Sequence, residues 1–198
     1  MSSRTCIFTL GILIVFGFSA QRPGATYLLI PVGARQSSMA YAFTAVADDA
    51  SANYYNAAGL AFLDSPQVTG TYVGYLLGLH HDMHHIYVAA AYPFGKSCIG
   101  LDFTYFTPGN VEVVNTEGVY LGRYVMWRIA PKISYARRFG KKLALGLSWK
   151  FIKQQYATYW WWDPWLGSNG LDRGGTGVSF AFDLNYFGRI WFYEIRIV

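Results

Sequence analysis

The densest group of candidate metal ligands lies at residues 80–85, where the sequence is His80-His81-Asp82-Met83-His84-His85. Four imidazoles and a carboxylate could bind zinc or nickel. The group falls between two predicted strands, where an exposed polar loop is expected, and the spacing supplies no distal set of ligands. We therefore predict a polar loop, with no metal site and no cofactor.

Residues typical of enzymes lack the partners that catalysis requires. Asp48 and Asp49 could act as an acid and a base, but anchoring or capping a short helix is the expected role. Cys98 has no evident base partner, and the chain contains no Gly-x-Ser-x-Gly sequence. The glycine-rich stretch 172–177 lacks the lysine and the helix of a phosphate loop. We predict no catalytic residue and no enzymatic activity.

The composition excludes several classes of protein. Of 198 residues, 19% are aromatic and only 14% are charged, whereas soluble domains carry about 25% charged residues. So few charges exclude a disordered chain, and the net charge of +5 is too dispersed for nucleic-acid binding. Two cysteines exclude a disulfide scaffold, and only one apolar run approaches the length of a membrane helix. A membrane β-barrel remains.

The first twenty residues are typical of a signal peptide. Arg4 precedes the apolar stretch 6–18, and the small residues Ser19 and Ala20 offer a cleavage site. An uncleaved anchor is the alternative, although the stretch is short for a bilayer. We expect export to the cell outer membrane, with residues 1–20 removed.

From residue 67 onward, apolar side chains alternate with small or polar ones, as in strands with one face of each kind. The clearest segments are 98–107, 124–137, 143–155 and 177–187, while 68–75 and 86–92 are weaker and 190–198 is doubtful. Lengths near ten, short turns at 93–97 and 138–142, and long loops at 108–123 and 157–174 favour a transmembrane barrel over a soluble sandwich. The tryptophan-rich stretch 160–165 could bind sugar or lipid, but a position at the membrane interface is expected. The charged residues of the polar faces are expected to line the lumen: Asp102, Arg128, Lys132, Lys150 and Asp183.

Residues 21–66 differ from the strands, because they are rich in alanine, serine and asparagine. We predict a compact segment of short helices, with Asp48 or Asp49 as a helix cap and Gly59 as a helix stop.

This N-terminal block contains Gly33-Ala34-Arg35, then Asp48-Asp49-Ala50-Ser51, then Asn56-Ala57-Ala58-Gly59. With these motifs it resembles the PorV/PorQ family, which belongs to the FadL-like superfamily of outer-membrane barrels. The resemblance extends to about residue 187. One departure is Ala57, where the superfamily usually has proline. The matching positions, which are structural in the family, are Gly33, Arg35, Asp48, Asp49, Ser51, Asn56 and Gly59.

The resemblance implies an all-β, 14-stranded antiparallel barrel with the N-terminal segment folded into it as a hatch. It implies an outer-membrane component of type IX secretion that binds exported cargo proteins, with loops around 107–123 and 156–174 contacting cargo or other secretion components. The alternative is a FadL-like passive transporter of hydrophobic small molecules, with the hatch gating the lumen.

The predicted strands account for only part of such a barrel. Residues 67–198 hold six or seven strands, whereas fourteen would need roughly twice this length. An open half-barrel would leave two unpaired edges that lipid cannot solvate. We therefore expect a truncated or frame-disrupted product of a longer gene, and an eight-stranded closed barrel that recruits the N-terminal segment is the alternative.

Overall fold

The computed structural model describes residues 24–75, 82–114, 118, 120–155 and 176–188. The predicted signal peptide, the tryptophan-rich stretch 160–165, most of the predicted loop 157–174 and the doubtful strand 190–198 lie outside these residues. The chain divides into two units, residues 1–30 and 31–198. The described part of the first unit holds a 3₁₀ helix at Thr26–Leu29, where Leu28 N–H donates to Ala25 O at 3.0 Å.

The second unit begins with four short helical elements, and we call residues 31–66 the helical segment. They are α1 at Ala34–Ser38, α2 at Phe43–Val46, α3 at Ala52–Tyr55 and a 3₁₀ helix at Ala57–Phe62. The predicted short helices are thus confirmed. Gly59, predicted as a helix stop, instead lies inside the last element, because its missing Cβ allows contact with Ala47.

Six strands follow: β1 Gln67–Gly74, β2 His84–Phe94, β3 Ser97–Val114, β4 Tyr120–Phe139, β5 Leu143–Gln155 and β6 Thr176–Gly188. Each pairs antiparallel with the next, in the order β1-β2-β3-β4-β5-β6. All six predicted strands are confirmed. Among the described strands β1 and β6 do not pair, so the sheet is not closed into a barrel.

The predicted long loop at 108–123 is wrong for most of its length, because β3 continues to Val114 and β4 starts at Tyr120. Proline and glycine at 108 and 109 are typical loop residues. Here the pairing of β3 with β4 does not end; its register shifts between Phe106 and Gly109, and the pairing then continues. Thr107 Oγ1 donates to Met126 O at 2.7 Å and accepts from Gly109 N–H at 3.0 Å. The Thr107 side chain therefore supplies hydrogen bonds between β3 and β4 where the irregularity at residue 108 interrupts the regular pairing.

The two faces of the sheet have opposite environments. We call the face beneath the helical segment the covered face and the other the apolar face. In β3, Cys98, Gly100 and Asp102 are buried, while Leu101 between them is 52% exposed. Most of the large apolar side chains of the sheet are therefore exposed, and the small and polar ones are covered together with Tyr87, Phe106, Ile152 and Phe187. No described helix is long and apolar enough to cross a membrane.

Candidate functional site

Small residues on the covered face form a floor on which the 57–62 helix packs. A Cβ on Gly146 would lie 2.7 Å from Ala58 N, and one on Gly100 would lie 2.6 Å from Leu60 Cδ1. The same buried cluster includes four strand residues of the covered face: Ala91, Cys98, Ala136 and Ala144. Because these positions carry little or no side chain, the backbone of the helical segment can approach the sheet closely.

A row of charged residues lies next to this floor. Asp102 pairs with Lys132 across β3 and β4, and Lys132 pairs with Lys150 across β4 and β5. Lys150 Nζ lies 3.1 Å from Asp183 Oδ2, and Lys132 Nζ lies 3.9 Å from the same oxygen. Four of the five predicted lumen-facing residues are therefore brought together on the covered face.

Lys132 joins this charge cluster to the helical segment. Its ammonium is buried and donates to the backbone carbonyl of Asn53, in α3. Beside it, Ser134 Oγ donates to Ser148 Oγ at 2.8 Å. Two lysines and two aspartates balance in charge, and the hydrogen bond from Lys132 links this neutral cluster to the segment. The fifth predicted residue, Arg128, lies apart, with its guanidinium carbon 5.5 Å from the centre of the Phe106 ring.

Several residues at the seven matching positions of the resemblance form a hydrogen-bond network inside the helical segment. Arg35 binds Asp48 through two hydrogen bonds of 2.7 and 2.8 Å and reaches Asp49 at 3.3 Å. Asp49 Oδ1 accepts from Ser51 N–H at 2.7 Å. The N-cap of α3 is Ser51, without a side-chain cap. The prediction of Asp48 or Asp49 as the cap is therefore wrong, because both carboxylates are engaged in the preceding turn.

Two further motif residues have roles that depend on tertiary contacts. Gly33 has a φ of 82°, in the left-handed region that favours glycine. Asn56 accepts from Ala58 N–H at 3.2 Å, and its amide donates to Thr44 O and to Tyr186 O, both at 3.1 Å. Asn56 therefore ties the helical segment to edge strand β6.

Sequence reasoning missed the side chains of Gln36 and Gln67, which hold the segment, and the burial of Asn53, whose backbone carbonyl accepts from Lys132. Gln36 Nε2 donates to Asp49 Oδ2 at 3.0 Å and to Ser51 Oγ at 2.7 Å. Gln67 Oε1, at the start of β1, accepts from Ala50 N–H at 3.1 Å. Asn53 is fully buried beneath the segment. Their only sequence signal is polarity within an alanine-rich stretch, which does not identify a partner.

The predicted polar loop at 80–85 is wrong for His84 and His85, which belong to β2. His84 stacks between two tyrosines of the apolar face, with ring centroids 5.9 Å from Tyr72 and 5.6 Å from Tyr105. His85 is buried on the covered face. Alternation separates the two imidazoles, and no group of three or more metal-ligating side chains occurs among the described residues. His80 and His81 lie outside these residues.

The model of the uncharacterised protein family UPF0164 matches residues 18–150, which is more than half of the chain. The chain belongs to this family. The matched range contains the helical segment, strands β1–β4 and the first part of β5. A comparison with curated proteins gives no match. In this UPF0164 member, three of the four clustered charges, Asp102, Lys132 and Lys150, fall within the family match.

The Arg35–Asp48 pair of this UPF0164 member predicts a small loss of stability in acid. The hydrogen bond from Arg35 and its charge lower the pKa of Asp48 below the ordinary 3.8. The contribution is therefore complete above the unfolded-state pKa and is lost as the pH falls from about 3.8 through the folded-state pKa. We expect Arg35→Gln to remove this acid dependence, as measured by protease sensitivity of the helical segment against pH. An unchanged acid profile in Arg35→Gln would contradict the assignment.

Proposed function

We propose that the chain forms part of the wall of an outer-membrane β-barrel, and that the helical segment is a hatch over a path for hydrophobic small molecules. The observation that carries the proposal is the inverted burial of the sheet, with most of its large apolar side chains exposed and the cluster of Asp102, Lys132, Lys150 and Asp183 on the covered face. Lipid would cover the apolar face as a second protein layer covers the sheet of a soluble domain.

The apolar face is continuous across all six strands. One row in register contains Val68, Ala90, Leu101, Ile133, Trp149 and Phe182. Most of the larger side chains in it are highly exposed, up to 78% at Val68 and 73% at Phe182. Exposed apolar area of this extent marks a protein or membrane contact. Because the exposed apolar area extends over every described strand, it supports contact with lipid rather than with a partner protein bound at one place.

Tyrosines bound this face at both ends. Tyr72 and Tyr105 flank His84 at one end, and Tyr92, Tyr135 and Tyr186 lie toward the other. Strand β2 has 11 residues, which at about 3.4 Å each and a tilt of about 40° span roughly 29 Å. This is enough to cross the apolar band of outer-membrane barrels, which is about 25 Å tall and is bounded by aromatic girdles.

A charged side chain introduced on the apolar face tests whether lipid or water surrounds that face. Leu101 lies in the central row and is 52% exposed, while Leu29, outside the sheet, is 59% exposed. We expect Leu101→Arg to lower the free energy of unfolding in lipid vesicles by about 2–4 kcal/mol, and Leu29→Arg to change it little. Urea unfolding in vesicles measures both. Equal, near-zero effects would exclude a lipid-facing sheet.

The position of the helical segment supports a gated path. It packs on the face where a barrel would have its lumen, and it is held by a hydrogen bond from Lys132 and by Asn56, both polar contacts that can be exchanged with water. The block also resembles the PorV/PorQ family of the FadL-like superfamily, in which FadL-like relatives pass hydrophobic molecules through the wall. Vesicles containing the chain should take up a labelled fatty acid or aromatic compound faster than empty vesicles. Equal rates would overturn the transport function.

A second candidate is protein secretion, as in the type IX PorV-like proteins. The pairing of β3 with β4 continues to Val114 and Tyr120, whereas the described pairing with β2 ends at Thr107 and that with β5 at Trp127. The outer part of this hairpin therefore extends beyond its described neighbours and could contact an exported cargo. Recovery of cargo with C-terminal signal domains in a pull-down, without uptake of small molecules, would favour secretion.

A further inference from the structure

The two outermost described strands each pair on one side only. Strand β1 pairs with β2, and β6 pairs with β5. If the sheet is a membrane wall, as proposed above, the backbone groups along both edges must find partners, because lipid offers none. The inference below rests on that proposed function.

We infer that a second copy of this chain closes the sheet, with β1 of each copy paired to β6 of the other. Six strands in an antiparallel meander leave β1 and β6 running in opposite directions. Two copies related by a two-fold axis along the barrel therefore bring β1 beside the partner's β6 as an antiparallel pair. Both copies then keep the same orientation across the membrane, and both edges are closed at once.

The faces of the two edges match in this arrangement. On the apolar face β1 presents Val68 and Tyr72, and β6 presents Phe180, Phe182 and Leu184, all more than half exposed. On the other face β1 presents Thr69, Thr71 and Val73, and the usable edge of β6 presents small or polar residues such as Ser179, Ala181 and Asn185. Pairing that keeps like faces together extends the apolar band around the junction without placing a charge in lipid.

The usable length of the edges also matches. Asn56 donates to the carbonyl of Tyr186, so the helical segment already occupies the end of β6. The remaining edge, 176–185, is long enough to pair with the 8 residues of β1. The described strands of two copies number twelve, an even number within the range of closed bacterial barrels, whereas the six described strands of one copy lie below the smallest.

Disulfide trapping between differently tagged copies tests this pairing. Both chains carry Cys6→Ser, and the buried Cys98 stays as the background control. One chain carries Thr71→Cys on β1, and the other carries one cysteine on the same face of β6, namely Ser179→Cys, Ala181→Cys or Asn185→Cys, because the tilt of barrel strands staggers the register of the junction. After oxidation in isolated outer membranes we expect a cross-linked product that carries both tags. Two chains with Thr71→Cys should not cross-link, nor should Ala130→Cys in the central strand β4.

Other products overturn the inference. A cross-link within one chain that bears both cysteines would show that the chain closes its own edges, and a cross-link to another protein would identify a different partner. Because a cysteine variant could fail to fold, native mass spectrometry of the unmodified protein in detergent provides a second measurement. A mass of two chains supports the inference, and a mass of one contradicts it. Recovery of the chain in the soluble fraction would instead refute the membrane function itself.

Discussion

Gly146→Ala should detach the helical segment from the sheet while leaving the strands paired. The added methyl carbon would lie 2.7 Å from Ala58 N and 3.0 Å from Ala57 C. Both neighbours are backbone atoms, so no side-chain rotation can relieve the overlap. We expect a loss of about 1–3 kcal/mol in the free energy of unfolding, which is typical of overpacking, and earlier cleavage within residues 31–66 by added protease.

Gly177→Ala is the matched control, because Gly177 is also a strand glycine but no described atom lies within 4 Å of its added methyl. It should leave stability and protease sensitivity close to those of the parent chain. If the helical segment is a hatch, Gly146→Ala should also raise the uptake of labelled hydrophobic compounds into vesicles, and Gly177→Ala should not. Equal protease sensitivity in the two variants would contradict the close packing of the 57–62 helix on β5.

Gly146 also illustrates what the sequence could predict and what it could not. The alternation of Leu145, Leu147 and Trp149 with small residues predicts strand β5 and its two faces, because successive side chains point to opposite sides. The same alternation does not say which face is covered. That Gly146 receives the backbone of Ala58 depends on a contact between residues almost ninety positions apart, for which a period of two carries no information.

For the charged residues, too, the sequence predicts the face of the sheet but not the tertiary contacts. Their shared face could be predicted from parity along each strand, and Asp102, Lys132 and Lys150 do lie in one row. Their link to Asn53 could not, because it requires the position of α3 above the sheet. Conversely, the proline and glycine at 108 and 109 predicted a loop by local preference, and the Thr107 side chain overrode that preference.

Lys132→Met should destabilise the fold more than any other single loss of charge on the covered face. Methionine keeps the approximate length of the side chain but removes the ammonium that donates to Asn53 O and lies 3.9 Å from Asp183. The cluster would then hold two carboxylates against one lysine in a buried position. Removing one partner of a buried charge set costs about 3–5 kcal/mol, measurable by urea unfolding in vesicles.

Lys153→Met provides the matched control, since Lys153 lies in the same strand as Lys150 but on the apolar face, 5.3 Å from the Trp127 ring. Lys153 pairs with Ile129 near the end of the β4–β5 pairing, where a lipid-facing charge costs at most about 1 kcal/mol. Its contact with the ring contributes about 0.5–1 kcal/mol, so the net change should be several times smaller. Adding Asp102→Asn to Lys132→Met returns the cluster to neutrality and should recover part of the lost stability, because the uncompensated charge is the main penalty. Equal losses in Lys132→Met and Lys153→Met, with no recovery in the double variant, would mean that the cluster does not hold the helical segment to the sheet.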